Sequence, residues 1–329
     1  MLDLAGCWTL SDESGAHVVP FDLPGDGVSA LARAGVIPDP YWGRNEYECR
    51  WVSERDWVAK RRFIVDRTDL VLEIDMLDTV AEVFVNGKSV LKAENMFRRH
   101  VAGLSSVLKV GENEISIRFA SPVREGAERQ AGMPFFIPYA VQNCPIPNGN
   151  MLRKPACDFG WDWNIALAPF GVYGDIRLLS KDELRPSNIW IRQEHEAGSV
   201  SLHIEGDFEG FDDTPFRVEV AGVVVEGKTN KFGTLRTTLV VHAPELWWPA
   251  GQGPQVLHEL TICCGDRVET RRIGFRTLEL VTEKDAVGTG FKFRVNGRDV
   301  FAKGANWIPA DALASKITPE ATRDLLQSA

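Results

Sequence analysis

Period-two alternation is the feature that most restricts what this chain can fold into. Leu70, Leu72 and Ile74 alternate with Val71, Glu73 and Asp75, and the runs Ala81–Val85 and Glu114–Phe119 repeat the pattern. Successive side chains of a strand point to opposite faces, so such runs predict half-buried strands. Ala81-Glu82-Val83-Phe84-Val85 meets Asn86-Gly87 and returns as Lys88-Ser89-Val90. Asparagine-glycine tolerates the positive φ angles of a two-residue hairpin turn. The same chemistry recurs where Phe291–Val295 meets Asn296-Gly297 and returns as Arg298–Phe301. The fold class expected is mainly β.

Residues 1 to about 180 read as one β-sandwich, with long loops at 24–56 and 121–160 that are rich in proline and aromatics. Loops of that length in a compact domain are usually functional. Leu184-Arg185-Pro186 marks a boundary. After it, short strands are predicted at Asn188–Arg192, Val200–Glu205, Phe216–Val220, Thr234–Val241, Val256–Cys263 and Val268–Phe275, the spacing of an immunoglobulin-like sandwich without its cysteine pair. Near the end, Thr318-Pro319-Glu320 predicts a helix to about Gln327, with threonine as cap and proline in the first turn. A strand followed by a helix, then nothing, reads as the first unit of a β/α domain.

At 329 residues the chain suggests roughly two or three domains. A net charge of −9 argues against nucleic acid as partner. No stretch approaches the ~20 apolar residues of a membrane span, and Met1–Gly6 does not begin like a signal peptide. The six cysteines, Cys7, Cys49, Cys144, Cys157, Cys263 and Cys264, fit neither a disulfide framework nor a zinc site. Reduced thiols in a cytoplasmic protein are expected, each acting as a small buried apolar residue. The six histidines show no metal-ligand spacing, and Glu194-His195-Glu196 reads as a solvated edge. Leu246-Trp247-Trp248-Pro249 reads as the anchor of an interface.

One stretch stands apart. In Cys157-Asp158-Phe159-Gly160-Trp161-Asp162-Trp163 an aspartate sits between two tryptophans, just after Arg153 and Lys154. Indole faces pack against the apolar faces of sugar rings, and a carboxylate between them accepts hydrogen bonds from hydroxyls. A buried tryptophan pair with a turn aspartate is the competing reading.

The order of the pieces resembles glycoside hydrolase family 2, and within it the β-mannosidases. The resemblance rests on Tyr41-Trp42-Gly43-Arg44-Asn45-Glu46 with Asp56-Trp57, on Leu77-Asp78-Thr79-Val80-Ala81, and on Asn95-Met96-Phe97-Arg98-Arg99. It continues through Arg153-Lys154, Phe159–Trp163, Gly171–Ile176, Leu246–Pro249, Ile273–Arg276 and Lys303–Pro309. It departs at Asn164-Ile165, where the family carries glycine-proline, and at His258, where it carries tyrosine.

This resemblance implies a jelly-roll (galactose-binding-like) β-sandwich over residues 1–183, an immunoglobulin-like β-sandwich over 184–280 and the truncated start of a (β/α)8 barrel over 281–329. It implies the N-terminal part of a retaining exo-β-mannosidase acting on terminal non-reducing β-D-mannose, through two carboxylates ~5–5.5 Å apart. Both are glutamates of later barrel strands in the family. Neither Asn45-Glu46 nor Asn113-Glu114 matches them, so the chain is expected to be inactive alone. The resemblance assigns Asp162 as acceptor for sugar hydroxyls and Trp161 as a pocket wall, with Asn306 and Trp307 as secondary pocket residues. It implies no cofactor or metal, a β-mannoside oligosaccharide as partner, and no nucleic acid or membrane. It leaves a homo-oligomer open. Residues after about 283 are expected to be poorly ordered or docked on a neighbour. The alternatives are a stand-alone carbohydrate-binding protein of two sandwiches and a family 2 glycosidase for another sugar.

Overall fold

The computed structural model describes residues 1–329, Ser187 by its backbone alone. The chain is mainly β and divides into two compact units, Met1–Ser180 with Ile308–Ala329, and Lys181–Trp307.

The first unit is a sandwich of antiparallel sheets. Six strands lie in the order Val18–Leu23, Gly6–Asp12, Trp57–Val65, Gly111–Phe119, Ala81–Val85, Lys88–Ala93. Four more form Leu2–Asp3, Ile176–Leu179, Val71–Ile74, His100–Gly103. One apolar core joins the sheets, with Leu10, Phe21, Val83 and Ile117 from the first and Leu72, Ile74 and Leu178 from the second. Two tryptophans lie wholly inside it, and their indole N–H groups are satisfied: Trp8 donates to the Leu4 carbonyl at 2.9 Å and Trp57 to that of Val52 at 2.8 Å. The hairpin turn predicted from Asn86-Gly87 is present, with φ of 51° and 77°. The Asn86 amide also donates to Asn113 Oδ1 at 2.7 Å and accepts from the Glu114 N–H at 3.1 Å, so its side chain braces the next strand.

The two long loops are partly helical. Gly27–Arg33, Asn45–Cys49 and a 3-10 turn at Arg50–Glu54 lie in the first, and Pro122–Ala131 in the second. The start signal of the last helix, serine before proline, was legible: Ser121 Oγ accepts from the Arg124 N–H at 3.1 Å. Its body is too polar for apolar periodicity to reveal it. The strand Val71–Ile74 is buried on both faces, so Glu73 is fully enclosed. It is bridged by Arg177 at 2.6 Å and Arg99 at 3.3 Å.

Asp56 is a second buried charge. It accepts from the Ser121 N–H at 2.8 Å and pairs with Arg118 at 2.6 Å and Arg124 at 2.5 Å. Burial by itself would raise this carboxyl, but the Ser121 amide and the two guanidinium groups outweigh it and hold it below the usual carboxylate range. A carboxylate lowered in the folded state adds stability that is fully present above its ordinary value of about 3.9. That stability is lost as pH falls through the lowered value. Asp56→Asn is therefore expected to flatten the acid limb of melting temperature against pH. An unaltered acid limb would show that Asp56 is not its origin.

The returning segment of the first unit is anchored by specific contacts. Leu313 is buried in the main core. The Tyr41 hydroxyl donates to Asp311, Ser315 Oγ donates to Asp26, and the Lys316 ammonium lies 4.4 Å from the Tyr41 ring centroid. The helix that follows, Pro319–Ser328, is capped by Thr318 Oγ1, which accepts from the Ala321 N–H at 3.1 Å.

The second unit packs a three-stranded sheet, Ser187–Glu196, Ser199–Asp207, Thr234–His242, against a four-stranded one, Val223–Lys228, Pro215–Val220, His258–Cys264, Arg267–Ile273. Val223–Lys228 has no counterpart among the strands expected from sequence. It is an edge strand, mostly exposed, and pairs only with Pro215–Val220. A further sheet, Leu278–Val281, Lys292–Val295, Arg298–Val300, contains the second asparagine-glycine hairpin, with φ of 49° and 77°. The Trp247-Trp248 pair holds it within this unit. Asn296 Nδ2 donates to the Trp247 carbonyl at 3.0 Å, and the guanidinium groups of Arg276 and Arg298 cover the two indoles at 4.8 and 4.6 Å.

All six cysteines are free thiols. Cys49 and Cys264 are buried as expected of small apolar residues, whereas Cys7 is exposed on an outward strand position. Among the described residues no helix is long and apolar enough to cross a membrane.

Candidate functional site

The stretch singled out in sequence forms a closed loop on the first unit. Its entry runs beside Asn95, with the Met96 N–H donating to the Arg153 carbonyl at 3.1 Å. A 3-10 turn follows at Ala156–Phe159. The Asp158 carbonyl then accepts from both Leu167 and Ala168, at 3.2 and 2.7 Å, and so ties the outgoing leg to the returning one. Between these legs Gly160 takes a φ of 105°, and a Cβ there would lie 2.5 Å from Pro145 Cδ. Only glycine suits both the angle and the space.

Beyond Gly160 the chain makes a tight turn. Trp161 and Asn164 exchange backbone hydrogen bonds of 3.1 and 3.3 Å, leaving Asp162 and Trp163 at the tip. Asn164, where the family resemblance breaks, closes the loop with its side chain by donating to the Cys157 carbonyl at 2.8 Å. Glu46 Oε2 accepts from the Ala166 N–H at 2.9 Å and braces the returning leg. Trp161 and Trp163 are 36% and 40% exposed, and Asp162 is exposed. The buried-pair reading of these tryptophans is therefore wrong. Two indoles and a carboxylate face solvent on one turn, a constellation suited to a ring with apolar faces and hydroxyl edges.

Beneath the loop lies a three-stranded ribbon, Gly25–Asp26, Gly171–Val172, Leu77–Asp78. Its register sets Gly171 opposite both Asp26 and Asp78. Directly opposed residues of antiparallel strands share a face, so the two carboxylates flank a position with no side chain. A Cβ on Gly171 would lie 2.1 Å from the Gly25 carbonyl oxygen. Into this face comes Lys154, whose side chain is 1% exposed. Its ammonium lies 2.8 Å from Asp78 and 3.2 Å from Asp158, and donates also to the Pro169 carbonyl. The Phe159 ring covers it at 5.9 Å.

Burial pushes the Asp78 carboxyl up, Lys154 pulls it down and Asp158 pushes it up again, and the balance is upward. Burial likewise raises Asp158 against the pull of Lys154. For Lys154 burial acts downward, but the two carboxylates prevail and the ammonium is held above its ordinary value. The Tyr173 hydroxyl, bonded to Asp78, is raised by burial and by the carboxylates around it. Removing one partner from such a buried pair costs about 3–5 kcal/mol, because the other charge is left uncompensated.

Trp161 and Asp162 are thus brought together on one turn. Asn306 and Trp307 lie in the second unit, in irregular chain after Arg298–Val300, and both are exposed. Glu46, Asp78, Lys154 and Asp158 carry the loop and had no role in the sequence reading. Arg153-Lys154 and Asp78 did stand in recognisable motifs, but a motif does not say that a charge is buried. Two cavities of the first unit, 380 Å³ beside Glu82, Arg118 and Arg129 and 450 Å³ beside Asp26, Ser29 and Lys316, include no residue of the turn in their walls. The charges of the first pair with one another, as in Arg129–Glu94 at 2.9 Å and Lys92–Glu82 at 3.6 Å. Among the described residues no cluster of histidine, cysteine or carboxylate has the makings of a metal site.

The chain is similar to known proteins over nearly its whole length. Residues 8–174, just over half of the chain, match the family described as "Glycosyl hydrolase 2 galactose-binding domain-like". The chain is 30% identical to the β-mannosidase of Rattus norvegicus, over 99% of its own length and 40% of the relative's. It is 29% identical to β-mannosidase B of Emericella nidulans, over 90% of itself and 37% of the relative. Among solved structures, the β-D-mannosidase of Dictyoglomus thermophilum superposes with a TM-score of 0.87 at 28% identity, over 99% of this chain and 42% of that one. The chain thus spans about two fifths of the length of the curated relatives it matches.

Proposed function

Because the chain belongs to glycoside hydrolase family 2, we propose that it forms the substrate-facing N-terminal part of a retaining exo-β-mannosidase. The observation that carries this reading is the exposed Trp161-Asp162-Trp163 turn, braced from below by buried charge, in a chain similar to β-mannosidases along its whole length. In the proposal Asp162 accepts hydrogen bonds from hydroxyls of the terminal mannose and Trp161 forms a wall against its ring. Asn306 and Trp307 are secondary pocket residues.

Retention needs a nucleophile and an acid/base ~5–5.5 Å apart. The proposal assigns neither to this chain, and places both in sequence equivalent to the part of the relatives that it does not match. A jelly-roll over 1–183, an immunoglobulin-like sandwich over 184–280 and a barrel start from 281 belong to the same reading. So do a cytoplasmic setting and a β-mannoside oligosaccharide as partner, with a homo-oligomer left open and nucleic acid disfavoured by the charge of −9.

The test is an assay of nitrophenyl β-D-glycosides with this chain and with the product of the complete reading frame that encodes it. The chain alone should release no mannose and bind it with a dissociation constant on the order of millimolar or weaker. The complete product should prefer the mannoside over the glucosaminide and galactoside. Turnover by the chain alone at an enzymatic rate, or preference for another sugar, would overturn the assignment.

A further inference from the structure

We propose that Lys154 is the positioning residue of the Trp161–Asp162 turn, acting with Asp78 and Asp158 as a buried latch that sets where the Asp162 carboxylate points. The proposal rests on reading Asp162 as a sugar contact, and names what holds it in place.

The geometry is that of a three-way tie. An ammonium has three donors, and Lys154 offers them to three acceptors on three pieces of chain: Asp78 on the ribbon, Asp158 on the outgoing 3-10 turn, and the Pro169 carbonyl on the returning leg. The turn itself is held by the paired backbone bonds between Trp161 and Asn164 and by the Asn164 side chain on the Cys157 carbonyl of the outgoing leg, and it is exposed to water. Its orientation is therefore inherited from the legs. Arginine is planar and larger, and methionine donates nothing, so neither reproduces the tie.

The latch also answers to protons. One ammonium faces Asp78 and Asp158 directly, the Tyr173 hydroxyl bonds Asp78, and Asp26 stands across Gly171. The enclosed cluster thus holds more carboxylates than cations. Taking up one proton relieves that excess, and burial favours the uptake at Asp78 and Asp158. A protonated Asp78 holds Lys154 less strongly, which shifts the tie toward Asp158 and the loop.

The experiment is fluorine NMR of the chain labelled with fluorotryptophan, with signals assigned by Trp161→Phe and Trp163→Phe. In Lys154→Met and Lys154→Arg the Trp161 and Trp163 signals should shift and broaden, while those of Trp190 and Trp307, in the other unit, stay in place. Asp158→Asn keeps shape and ammonium, and should shift the same two signals even if Lys154→Met does not fold. In the unaltered chain both signals should titrate across the neutral range, and Asp78→Asn should abolish that titration. Unmoved Trp161 and Trp163 signals in the folded variants, or a flat pH profile in the unaltered chain, would overturn the proposal. No sugar is present in this experiment, so its outcome is separate from that of the hydrolysis assay.

Discussion

Asp162→Ala is expected to lower kcat/KM on a β-D-mannoside by roughly 10- to 150-fold in the product of the complete reading frame. A hydrogen bond involving a charged group contributes about 1.5–3 kcal/mol, and each 1.4 kcal/mol is about a factor of ten. Asp162 sits at the tip of an exposed turn, and the bonds that hold the turn run through Trp161, Asn164 and Glu46. Its removal should therefore leave stability within about 0.5 kcal/mol, the usual range for surface changes. If the contact strengthens as the ring distorts toward the transition state, kcat falls with kcat/KM; if it serves ground-state binding, KM rises alone. Asp162→Asn keeps one acceptor oxygen and should lose less. Steady-state kinetics beside a melting curve checks all three statements. Unchanged kinetics would remove Asp162 from the site.

Gly171→Ala should be the most damaging small substitution near the site. The added methyl would stand 2.1 Å from the Gly25 carbonyl oxygen and 2.9 Å from Asp26 Cα, both backbone atoms of a paired strand. No rotamer change can relieve such a clash, so the ribbon must part. Overpacking ordinarily costs about 1–3 kcal/mol, and a clash with backbone lies at or beyond the upper end. Parting the strands also separates Asp26 and Asp78 from the geometry that surrounds Lys154. Urea unfolding should show a lower midpoint for Gly171→Ala, whereas Gly87→Ala, in open space, loses only what its φ of 77° costs an L-residue. An equal, small loss in both would mean that the ribbon is not paired as described.

What could be read from the sequence was local. The hairpins at Asn86-Gly87 and Asn296-Gly297 and the threonine-proline helix start are fixed by chemistry within a few residues, and all are present. The turn was visible as an unusual loop, but two tryptophans around an aspartate suit a buried pair as well as an exposed one, and only their surroundings in the fold separate the two. The latch was not. Lys154 and Asp78 are 76 positions apart, and nothing local says that a lysine points inward. Glu46 likewise meets Ala166 across 120 positions, so an Asn-Glu pair that matches no catalytic position in the sequence braces a loop. The helix Pro122–Ala131 escaped because its surface is polar nearly all round.

Glu73 carries a consequence for how the chain chooses among near-equivalent pairings. Val71–Ile74 is a short strand enclosed on both sides, paired with His100–Gly103 and Ile176–Leu179. Apolar residues alone would let it slip along either neighbour at small cost. A carboxylate directly opposite Arg177 forbids that, since any sliding strands an unpaired charge in the interior. The ion pair thus works as an alignment pin: its worth lies less in strengthening the correct assembly than in penalising every misaligned one.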